Sequence, residues 1–406
     1  MERDAEIIIQ KTIEDVMPAG AVKNMLHKLS LPGKIYVAAI GKAAWTMASA
    51  ACDVLKGKLV EGVIVTKYNH SFGNIDKFTI IEAGHPVPDE NSVIGAQKVI
   101  NMLERADKNA VILFLISGGG SSLFEIPVKG MSLERICSIT QQLLVSGASI
   151  TEMNVVRKKL SLVKGGKITK YIGSRKAYAI IMSDIVGEHE DMIASGLTYP
   201  DYSSGAEAVD ILNKYGISLD ADIIDVIMRQ KECMEEIVEN HIIGSVRTLC
   251  MSAAKHAMEQ GYLPHIITAS MSEEASEAGK WLAGFADGNW ERPYAVIAGG
   301  ETVVKVKGNG KGGRNQELAL SAALVLQKKR DVVLFSFGSD GTDGPTDAAG
   351  GIIDGLTIQR ICEKGLDAVQ LLADNDSYQA LEAADGLIKT GPTGTNVNDV
   401  SVLLCR

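Results

Sequence analysis

The feature that most constrains the fold of this sequence is a regular alternation of short apolar runs with helical patterns. In the first half, the apolar runs predict strands at 34–41, 59–67, 78–84, 110–120 and 176–184. Several of these runs are apolar on both faces, which is typical of buried strands in a parallel sheet. Helical patterns lie between them at 43–55, 91–105, 132–145 and 151–163. The alternation predicts a doubly wound α/β domain.

A second alternating series follows a more polar helical section at 206–240, in which no apolar run is a comparable strand candidate. In this series we expect helices at 245–260, 273–286 and 315–327. The expected strands lie at 263–270, 293–300, 301–308, 332–341 and 396–406. The pattern therefore predicts two α/β domains, at 1–238 and 239–406, with a cleft between them.

Length and charge limit the class of protein. A chain of 406 residues is too long for one ordinary core, which agrees with two domains. The net charge of −9 argues against a nucleic-acid partner, because such a partner favours a basic face. No apolar stretch is long and uncharged enough to span a bilayer. Residues 1–16 are predicted to form a charged amphipathic helix rather than a signal peptide.

The six cysteines are scattered along the chain without a CxxC pair. This distribution favours reduced thiols that pack as small hydrophobic side chains, as expected for a cytoplasmic protein. Both a monomer and a homodimer agree with the composition.

Glycine-rich loops follow several of the predicted strands, where the ligands of open α/β sheets bind. In the first of these loops, "AIGKAAW", Lys42 lies at the first turn of a helix. A cation there is unfavourable with respect to the helix dipole and calls for an anionic partner. The alternative is a solvated lysine that tolerates its position.

The second loop, "ISGGGSSL", has three consecutive glycines directly after a buried strand. Such a run can direct several backbone N–H groups toward one point and form an anion-binding nest. The alternative is a flexible turn that ends in a serine helix cap. We favour the nest, because ordering consecutive glycines costs conformational entropy that a ligand would offset.

Acidic residues follow two further strands. Asp184, in "SDIVGE", ends one of them and is a candidate metal ligand, general base or helix cap. Asp340, Asp343 and Asp347 crowd a second loop, "SDGTDGPTDAAG". Because clustered carboxylates repel one another unless a cation neutralises them, this loop predicts a magnesium ion bound with a phosphate. The alternative is a turn that uses Asp and Gly for left-handed backbone geometry.

The stretch "KGNGKGGRNQELAL" matches the dinucleotide fingerprint G-x-G-x-x-G at Gly308, Gly310 and Gly313. The preceding run, however, alternates valine and lysine, and Lys305, Lys307, Lys311 and Arg314 surround the glycines. So much positive charge suits a triphosphate or a transferring phosphoryl group better than a pyrophosphate held by backbone alone. We therefore interpret the match as a coincidence.

Other catalytic motifs are absent from the sequence. It has no G-x-x-x-x-G-K-[ST], no H-E-x-x-H and no G-x-S-x-G. The histidines are dispersed, and His85, beside the prolines of "GHPVPD", is interpreted as structural.

Taken in order, these segments resemble the class II glycerate kinases, the glycerate 2-kinases with a C-terminal MOFRL domain. The resemblance runs nearly end to end. It rests on "AIGKAA", "AGHPVPDENS", "ISGGGSSL", "MNVVRKKLSLVKGGK", "SDIVGE", "IASGLTYPD", "GGRNQELAL", "SDGTDGPTDAAG" and "TGPTGTNVNDV". Leu197 stands where the family more often has proline, which affects the stiffness of that loop.

The resemblance implies ATP-dependent phosphorylation of D-glycerate at its 2-hydroxyl, with Mg²⁺ as cofactor. It also implies an N-terminal Rossmann-like α/β domain, a smaller C-terminal mixed α/β domain and an active site in the cleft between them. The key basic residues of the family fall on Lys42 and Arg314. Some members carry the name hydroxypyruvate reductase, so an NAD(P)H-dependent reduction of hydroxypyruvate is the alternative function.

We assign roles to residues on this basis. Lys42, Arg314 and Asp184 are the expected catalytic residues, and Lys42, Arg314 and Glu301 are expected to bind the substrate. Asp184, Asp340 and Asp343 are the candidate metal ligands. The residues expected to bind ATP are Ser117, Gly118, Gly119, Gly120, Ser121, Ser122, Lys305, Gly313 and Asn315.

Overall fold

A computed structural model describes residues 1–185, 187, 190–230 and 237–406. The end of the predicted polar helical section, at 231–236, lies outside the described residues, and Cys233 lies there too. The strands are β1 Ile35–Ile40, β2 Leu59–Lys67, β3 Phe78–Ala83, β4 Val111–Ile116, β5 Lys176–Met182, β6 Val238–Gly244, β7 Leu263–Met271, β8 Tyr294–Gly300, β9 Val332–Gly338, β10 Gly350–Asp354, β11 Leu387–Ile388 and β12 Asp399–Cys405.

The α-helices alternate with these strands over most of the chain. They are α1 Glu2–Asp15, α2 Pro18–Lys28, α3 Ala44–Leu55, α4 Glu90–Arg105, α5 Gly120–Leu123, α6 Leu133–Val145, α7 Ile150–Leu160, α8 Gly205–Lys214, α9 Ala221–Met228, α10 Val246–Glu259, α11 Ala275–Gly284, α12 Arg314–Leu326, α13 Thr357–Glu363, α14 Ala368–Ala373 and α15 Ser377–Ala383. Short 3-10 segments lie at Lys56–Lys58, Lys167–Tyr171, Glu190–Ser195 and Phe285–Asp287.

The chain divides into two compact units. The N-terminal unit comprises Pro18–Ser183 and His189–Ile243, and the C-terminal unit comprises Met1–Met17, Asp184–Glu188 and Gly244–Arg406. The predicted domain ranges, 1–238 and 239–406, therefore differ from these units at the start of the chain. The charged helix that the sequence predicts at 1–16 is α1, and it packs in the C-terminal unit.

The sheet of the N-terminal unit has the strand order β3-β2-β1-β4-β5-β6. This is the order of a Rossmann-type sheet, and the described ladders of β1, β2, β3, β4 and β5 are all parallel. Every residue of β1 and β4 is buried, because both strands are central and helices cover both faces of such a sheet. Capping boxes begin the flanking helices at Asp89 for α4 and at Ser149 for α7.

The sheet of the C-terminal unit has the order β11-β10-β9-β12-β8-β7. It is mixed: β7 and β8 are parallel, whereas β12 runs antiparallel to both of its neighbours, β8 and β9. The central strands β8, β9 and β12 are buried throughout. Their side chains join those of α11 and α12 in one apolar core. The predicted class, two α/β domains of which the second is mixed, is thus confirmed.

The prediction of a strand at 301–308 is wrong. Among these residues only Val303 forms a bridge, an isolated one to Glu274, and Val306 is 76% exposed. The amides of Lys307 and Gly308 donate to the side chain of Asn375 instead of to a neighbouring strand. The alternation of valine and lysine therefore marks an exposed segment.

Three strands escaped the sequence analysis. β6 is polar at half of its positions because it lies at an edge of its sheet. β10 begins with two glycines, and β11 has only two residues. None of them carries the apolar run by which the other strands were recognised.

No described helix has the length and apolar character needed to cross a membrane. The five described cysteines are free thiols. Burial raises the pKa of Cys250 to about 12, because the thiolate would lose its water. This thiol is therefore a packing group and not a nucleophile.

A polar cluster ties α1 to α10 within the C-terminal unit. Asp15 accepts hydrogen bonds from Ser252 Oγ at 2.9 Å, Lys255 Nζ at 3.2 Å and His256 Nε2 at 2.9 Å. The other ring nitrogen of His256 lies 3.0 Å from a carboxylate oxygen of Glu259. Burial alone would raise the pKa of Asp15, but these three donors outweigh it and lower the pKa. The ionised carboxylate thus stabilises the attachment of α1.

Replacing Asp15 tests this attachment. We expect Asp15→Ala to lower the free energy of unfolding by about 1–2 kcal/mol at neutral pH, because three donors lose their acceptor. Since the folded-state pKa is lowered, the contribution of Asp15 is present above its ordinary pKa of 3.8 and is lost as the pH falls below that value. Thermal unfolding at neutral and acidic pH measures both effects.

Asp53→Ala is the matched control. The ion pair of Asp53 with Lys23 is largely exposed, and exposed pairs contribute little to stability. Equal melting temperatures of the two variants at neutral pH would contradict the role assigned to Asp15.

Candidate active site

The carboxyl ends of β1 and β4 define one candidate site, in the N-terminal unit. The two strands are parallel neighbours in register, and the chain builds the sheet outward from them in opposite directions. The carboxyl ends at such a switch point are where doubly wound sheets bind ligands. The loops that follow, with Lys42 after β1 and Ser117 after β4, are therefore the natural place for a substrate.

Hydrogen bonds join these two loops to each other. The amide of Lys42 donates to the carbonyl of Gly118 at 2.9 Å, and the amide of Ala43 donates to Ser117 Oγ at 3.0 Å. Gly41 has a φ of +124°, and a Cβ on it would lie 2.4 Å from the carbonyl oxygen of Ser117. Only glycine allows the loops to approach so closely, and the backbone of Lys42 is fixed as a result.

Gly119 lies between the side chains of Lys42 and His85. Its φ is +86°, and a Cβ built on it would lie 3.2 Å from Lys42 Cγ and 2.9 Å from His85 Cδ2. The structure thus places His85, which the sequence analysis interpreted as structural, beside the candidate catalytic lysine. Its position next to Pro86 in the sequence gave no signal of this.

The serine hydroxyls of the same loop are engaged within the protein. Ser195 Oγ donates to Asn154 Oδ1 at 3.0 Å, so in its 2.8 Å contact with Ser121 Oγ it is the acceptor. Ser122 Oγ donates to the carbonyl of Gly119. Neither hydroxyl is therefore a donor for a phosphate. ATP binding at Ser117–Ser122 stays a prediction, and it would rest on the glycine amides between the two ends of the loop.

Two left-handed residues, Ala194 and Ser195, hold the segment "IASGLTYPD" against this loop. Their φ angles are +50° and +56°, which costs roughly 1–2 kcal/mol for each residue. The amide of Gly165 donates to the carbonyl of Ser195, and a Cβ on Gly120 would lie 2.7 Å from Cβ of Ala194. The strained segment is thus fixed by its neighbours and positions the Ser195 hydroxyl.

Asp184 lies two residues after the end of β5. It is half-buried and is counted with the C-terminal unit. Val186 and Glu188 of the same motif lie outside the described residues. The roles of Asp184 as general base and metal ligand stay predictions.

A second candidate site, in the C-terminal unit, is built around Arg314, the first residue of α12. Its Nε donates to Asp399 Oδ2 at 2.6 Å and its Nη2 donates to Asp399 Oδ1 at 3.0 Å. Glu301, directly after β8, lies 3.4 Å from Nη1. The antiparallel course of β12 brings these groups together, because Asp399 at its start pairs with Gly300 and Gly338 at the ends of β8 and β9.

Burial and charge oppose each other in this ion pair. Burial by itself would lower the pKa of Arg314, but the hydrogen bonds and charge of Asp399, followed by the charge of Glu301, raise it. The side chain of Asp399 is only 4% exposed. Its burial raises its pKa to about 6 against the opposing effect of Arg314. At neutral pH both groups are charged, and the bidentate contact fixes the plane of the guanidinium.

The acidic loop after β9 does not form one cluster. Asp340 accepts from the amide and the hydroxyl of Thr342, whereas Asp347 contacts Tyr378 and Lys389. In the parts of the chain that the structure describes, no three His, Cys, Asp or Glu side chains are arranged to hold a metal ion.

Asp343 caps α12. It accepts from the amides of Asn315 at 3.1 Å and Gln316 at 2.9 Å, and burial raises its pKa. A Cβ on Gly313 would lie 2.3 Å from Cγ of Asp343, so this glycine makes room for the carboxylate. The roles proposed for Gly313 and Asn315 in ATP binding and for Asp343 in metal binding stay predictions, and they compete with this cap. Lys305 is 74% exposed and lies 3.8 Å from Glu274.

The backbone amides of the G-x-G-x-x-G stretch are bound within the protein. Asn375 Oδ1 accepts from the amides of Lys307 and Gly308, and Asp374 accepts from those of Asn309 and Gly310. A Cβ on Gly308 would lie 2.2 Å from Asp374 Oδ1. These glycines therefore serve close packing against 374–376, which supports the interpretation of the match as a coincidence.

Gly119→Ala tests the crowded position between Lys42 and His85. We expect its kcat/KM to fall at least about tenfold, because the new methyl group displaces the lysine side chain from its place. Gly130→Ala is the control, since Gly130 has the same φ of +86° but no neighbours within 4 Å. Both variants carry similar backbone strain, so we expect similar melting temperatures for the two. An equal loss of activity in both would refute the steric argument.

The pKa of Asp399 predicts how activity depends on pH. Below a pH of about 6, Asp399 takes up a proton and its hold on Arg314 weakens, so we expect kcat/KM to fall. Because the folded-state pKa is raised above the ordinary value, the folded state binds this proton more tightly than the unfolded state does. Protonation of Asp399 therefore adds stability as the pH falls, and the loss of activity is not due to unfolding.

Asp399→Asn should remove this acidic limb of the pH profile and lower kcat/KM at neutral pH. Asp354→Asn is the matched control, because Asp354 binds Arg360 through two hydrogen bonds and its pKa is lowered. A limb near pH 6 that persists in Asp399→Asn would exclude this residue as its source.

Two family models match the chain. One describes a domain of unknown function, DUF4147, and matches residues 4–228. The other describes the MOFRL family and matches residues 294–399. Together they cover most of the sequence.

Similar proteins match along nearly their whole length. A D-glycerate 2-kinase of Thermotoga maritima is 50% identical over 401 residues, 97% of this chain and 96% of the relative. A glycerate 2-kinase of Pyrococcus horikoshii is 40% identical over 93% of this chain and 88% of the relative.

A solved structure shows the same likeness. The crystal structure of a glycerate kinase from Thermotoga maritima matches with a TM-score of 0.96 at 49% identity, covering 100% of this chain and 99% of that one. The chain therefore belongs to the glycerate kinase family whose members carry a C-terminal MOFRL domain.

Proposed function

We propose that the chain transfers the γ-phosphoryl group of ATP to the 2-hydroxyl of D-glycerate, giving 2-phosphoglycerate and ADP. The observation that carries this proposal is the fixed guanidinium of Arg314, which Asp399 holds in one plane from a buried position. Glycerate and ATP are both anions, and phosphoryl transfer depends mainly on alignment and on neutralising charge. The names of the similar kinases support the choice of substrates.

Lys42 and Arg314 act differently in this proposal. Asp399 occupies the Nε–Nη2 edge of the guanidinium and Glu301 lies 3.4 Å from Nη1. A carboxylate or the transferring phosphoryl group would therefore replace Glu301 at the Nη1–Nη2 edge. Lys42 supplies a point charge from a backbone position that its bond to Gly118 fixes. Each residue is proposed to neutralise charge on an anionic group of the substrates.

Magnesium is the proposed cofactor, and when bound it would neutralise charge on the phosphate oxygens. Asp184 and Asp340 fit it best as ligands, because Mg²⁺ needs only one or two carboxylates when phosphates and waters complete its shell. In the described part of the chain, the side-chain hydrogen bonds of Asp340 use Oδ1. Both oxygens of Asp343 already accept from amides, which makes it the weaker candidate.

Deprotonation of the 2-hydroxyl is assigned to Asp184. Its position after β5, next to β4 in the sheet, puts a carboxylate at the edge where we expect glycerate to bind.

The free thiols of the described cysteines agree with a cytoplasmic location.

The reductase alternative requires a nicotinamide dinucleotide at Gly308–Gly313. The amides that would bind its pyrophosphate already have acceptors in the 374–376 segment, and no strand precedes them. The geometry therefore favours the kinase.

One pair of assays tests the assignment. The purified protein is incubated with D-glycerate, ATP and Mg²⁺, and the phosphorylated product is identified by phosphorus NMR or by coupling to enolase. In parallel, NADH absorbance is followed with hydroxypyruvate. The proposal expects 2-phosphoglycerate and a constant NADH signal; NADH consumption without phosphorylation would support the reductase instead.

Removing either cation should abolish most of the activity. We expect Lys42→Ala and Arg314→Ala each to lose more than about a hundredfold in kcat, because one charge contact in a transition state contributes several kcal/mol. Both variants should remain folded, as judged by circular dichroism and thermal unfolding. Lys280→Ala, which loses an exposed pair with Glu277 on α11, is the control. Near-normal turnover of either variant would overturn the assignment of that residue.

A further inference from the structure

Among the described residues, the cations around α7 in the N-terminal unit outnumber the carboxylates bonded to them. The cations of this group, here called the α7 cation cluster, are Arg157, Lys158, Lys159, Lys164 and Lys167. The carboxylates bonded to them in the structure are Glu125, Asp191 and Asp201. The sequence analysis used this segment only as one of the motifs that carry the family resemblance, and the proposed function has not used it.

Three of the lysines are paired with the three carboxylates. Lys158 lies 2.9 Å from Asp191 and Lys159 lies 2.8 Å from Asp201. Lys164 contacts Glu125. Lys158, Lys159 and Lys164 are buried, and a buried ammonium needs such a partner.

Lys167 is satisfied in a different way. Its ammonium donates to the carbonyls of Ser161, at 2.8 Å, and of Lys158. Burial, followed by the positive charge of Lys159, lowers the pKa of Lys167 to about 7. Lys167 can therefore lose its charge, so it needs no carboxylate.

Arg157 has no carboxylate partner among the described residues and cannot lose its charge as Lys167 can. Its hydrogen bond within the described residues runs from Nη2 to the carbonyl of Ser121, at 3.1 Å. An arginine cannot lose its proton in a protein, and its guanidinium has five N–H groups. Glu125 is the acid whose charge acts on Arg157, but it is bonded to Lys164. The half-buried guanidinium thus keeps a permanent charge and donors that no described carboxylate binds.

The contact with Ser121 places Arg157 at the glycine loop after β4. The amide of Lys42 binds the same loop at Gly118. Asn154, one turn before Arg157 on α7, reaches Ser121 through Ser195. One face of α7 therefore supports the loop and brings a cation to it, at the switch point of the sheet.

We propose that Arg157 is a substrate-binding residue that receives an anionic oxygen of a ligand of the kinase. The anion is either the carboxylate of the hydroxy acid or a phosphate oxygen of the nucleotide. It would complete the charge balance that the α7 cation cluster lacks, through the bidentate contacts that a guanidinium makes with such groups. The inference rests on the proposed function for the identity of the two ligands.

The experiment compares Arg157→Gln with the parent. We measure KM for D-glycerate and for ATP, and the dissociation constants of D-glycerate and ADP by calorimetry. The loss of a charge-assisted hydrogen bond should weaken one ligand about tenfold or more. A selective rise for D-glycerate identifies the carboxylate as the anion, and a selective rise for ATP and ADP identifies the phosphate.

Arg175→Gln is the matched control. Arg175 precedes β5 at the opposite end of the sheet and donates to backbone carbonyls of Ala106, Asp107, Tyr171 and Ile172. Arg175 therefore joins loops, as Arg157 does, but it lies away from the glycine loop after β4. We expect Arg175→Gln to lower the melting temperature and to leave both KM values within twofold of the parent.

Arg157→Lys completes the test. It keeps the charge but loses the planar fork, so we expect a smaller rise in the same KM that the glutamine variant raises. If Arg157→Gln does not fold, the lysine variant alone tests the proposal, by whether it selectively raises one of the two KM values. Values within twofold of the parent for both ligands overturn the proposal. An equal weakening of both ligands that lysine does not restore also overturns it, since it shows a purely structural role.

The binding measurements separate this inference from the proposed function. If the parent protein makes no 2-phosphoglycerate but Arg157→Gln still loses affinity for D-glycerate or ADP, the kinase assignment fails and the anion site stands. If the parent is an active kinase and neither affinity changes, only the anion site fails.

Discussion

The pairing of β1 with β4 is the constraint on which the candidate site of the N-terminal unit depends. Because the two strands run parallel and in register, their loops leave the sheet side by side. The amide of Lys42 then meets the carbonyl of Gly118, and Gly41 and Gly119 allow side chains and backbone to approach more closely than any other residue would. The backbone of Lys42 takes its position from this contact between loops, and the side chains of Lys42 and His85 both lie against Gly119.

The C-terminal unit orients its cation by other means. A reversal of strand direction places Asp399, the first residue of β12, beside the ends of β8 and β9. There the carboxylate is almost completely buried and holds Arg314 through two hydrogen bonds. A buried acid can cost more in lost hydration than its pairing returns, and the raised pKa of Asp399 shows that cost. The gain is an arginine with one edge fixed, whose Nη1 lies 3.4 Å from the carboxylate of Glu301.

The sequence was enough for the parts of the fold that are encoded locally. Five of the six strands of the first sheet and most of the helices follow from apolar runs and helical spacing, and the family follows from the order of the glycine-rich segments. The strand expected at 301–308 failed because alternating valines and lysines also suit an exposed segment tied down by Asn375. That tie joins residues far apart in the chain, which a local pattern does not show.

Long-range contacts also explain which site residues escaped notice. Asp399 lies 85 residues beyond Arg314, and only the antiparallel course of β12 joins them. An acid at the start of a buried and mostly apolar strand was the available signal. In the sequence, Arg157 stands beside several lysines and looks no different from them. Only the three-dimensional structure shows that each lysine has its partners, whereas no described carboxylate binds the arginine.

The position of α1 has a consequence for how the protein is made. Ala5, Ile8, Ile9, Thr12 and Ile13 bury one face of this helix, and its polar partners lie on α10, beginning at Val246. During synthesis on the ribosome the first helix emerges long before those partners exist. Its apolar face stays exposed while an entire α/β unit is translated, because the part of the chain that covers it has not yet been made. Chaperones that shield a nascent N-terminus would act in this interval, and a fragment that ends before α10 would keep that face uncovered.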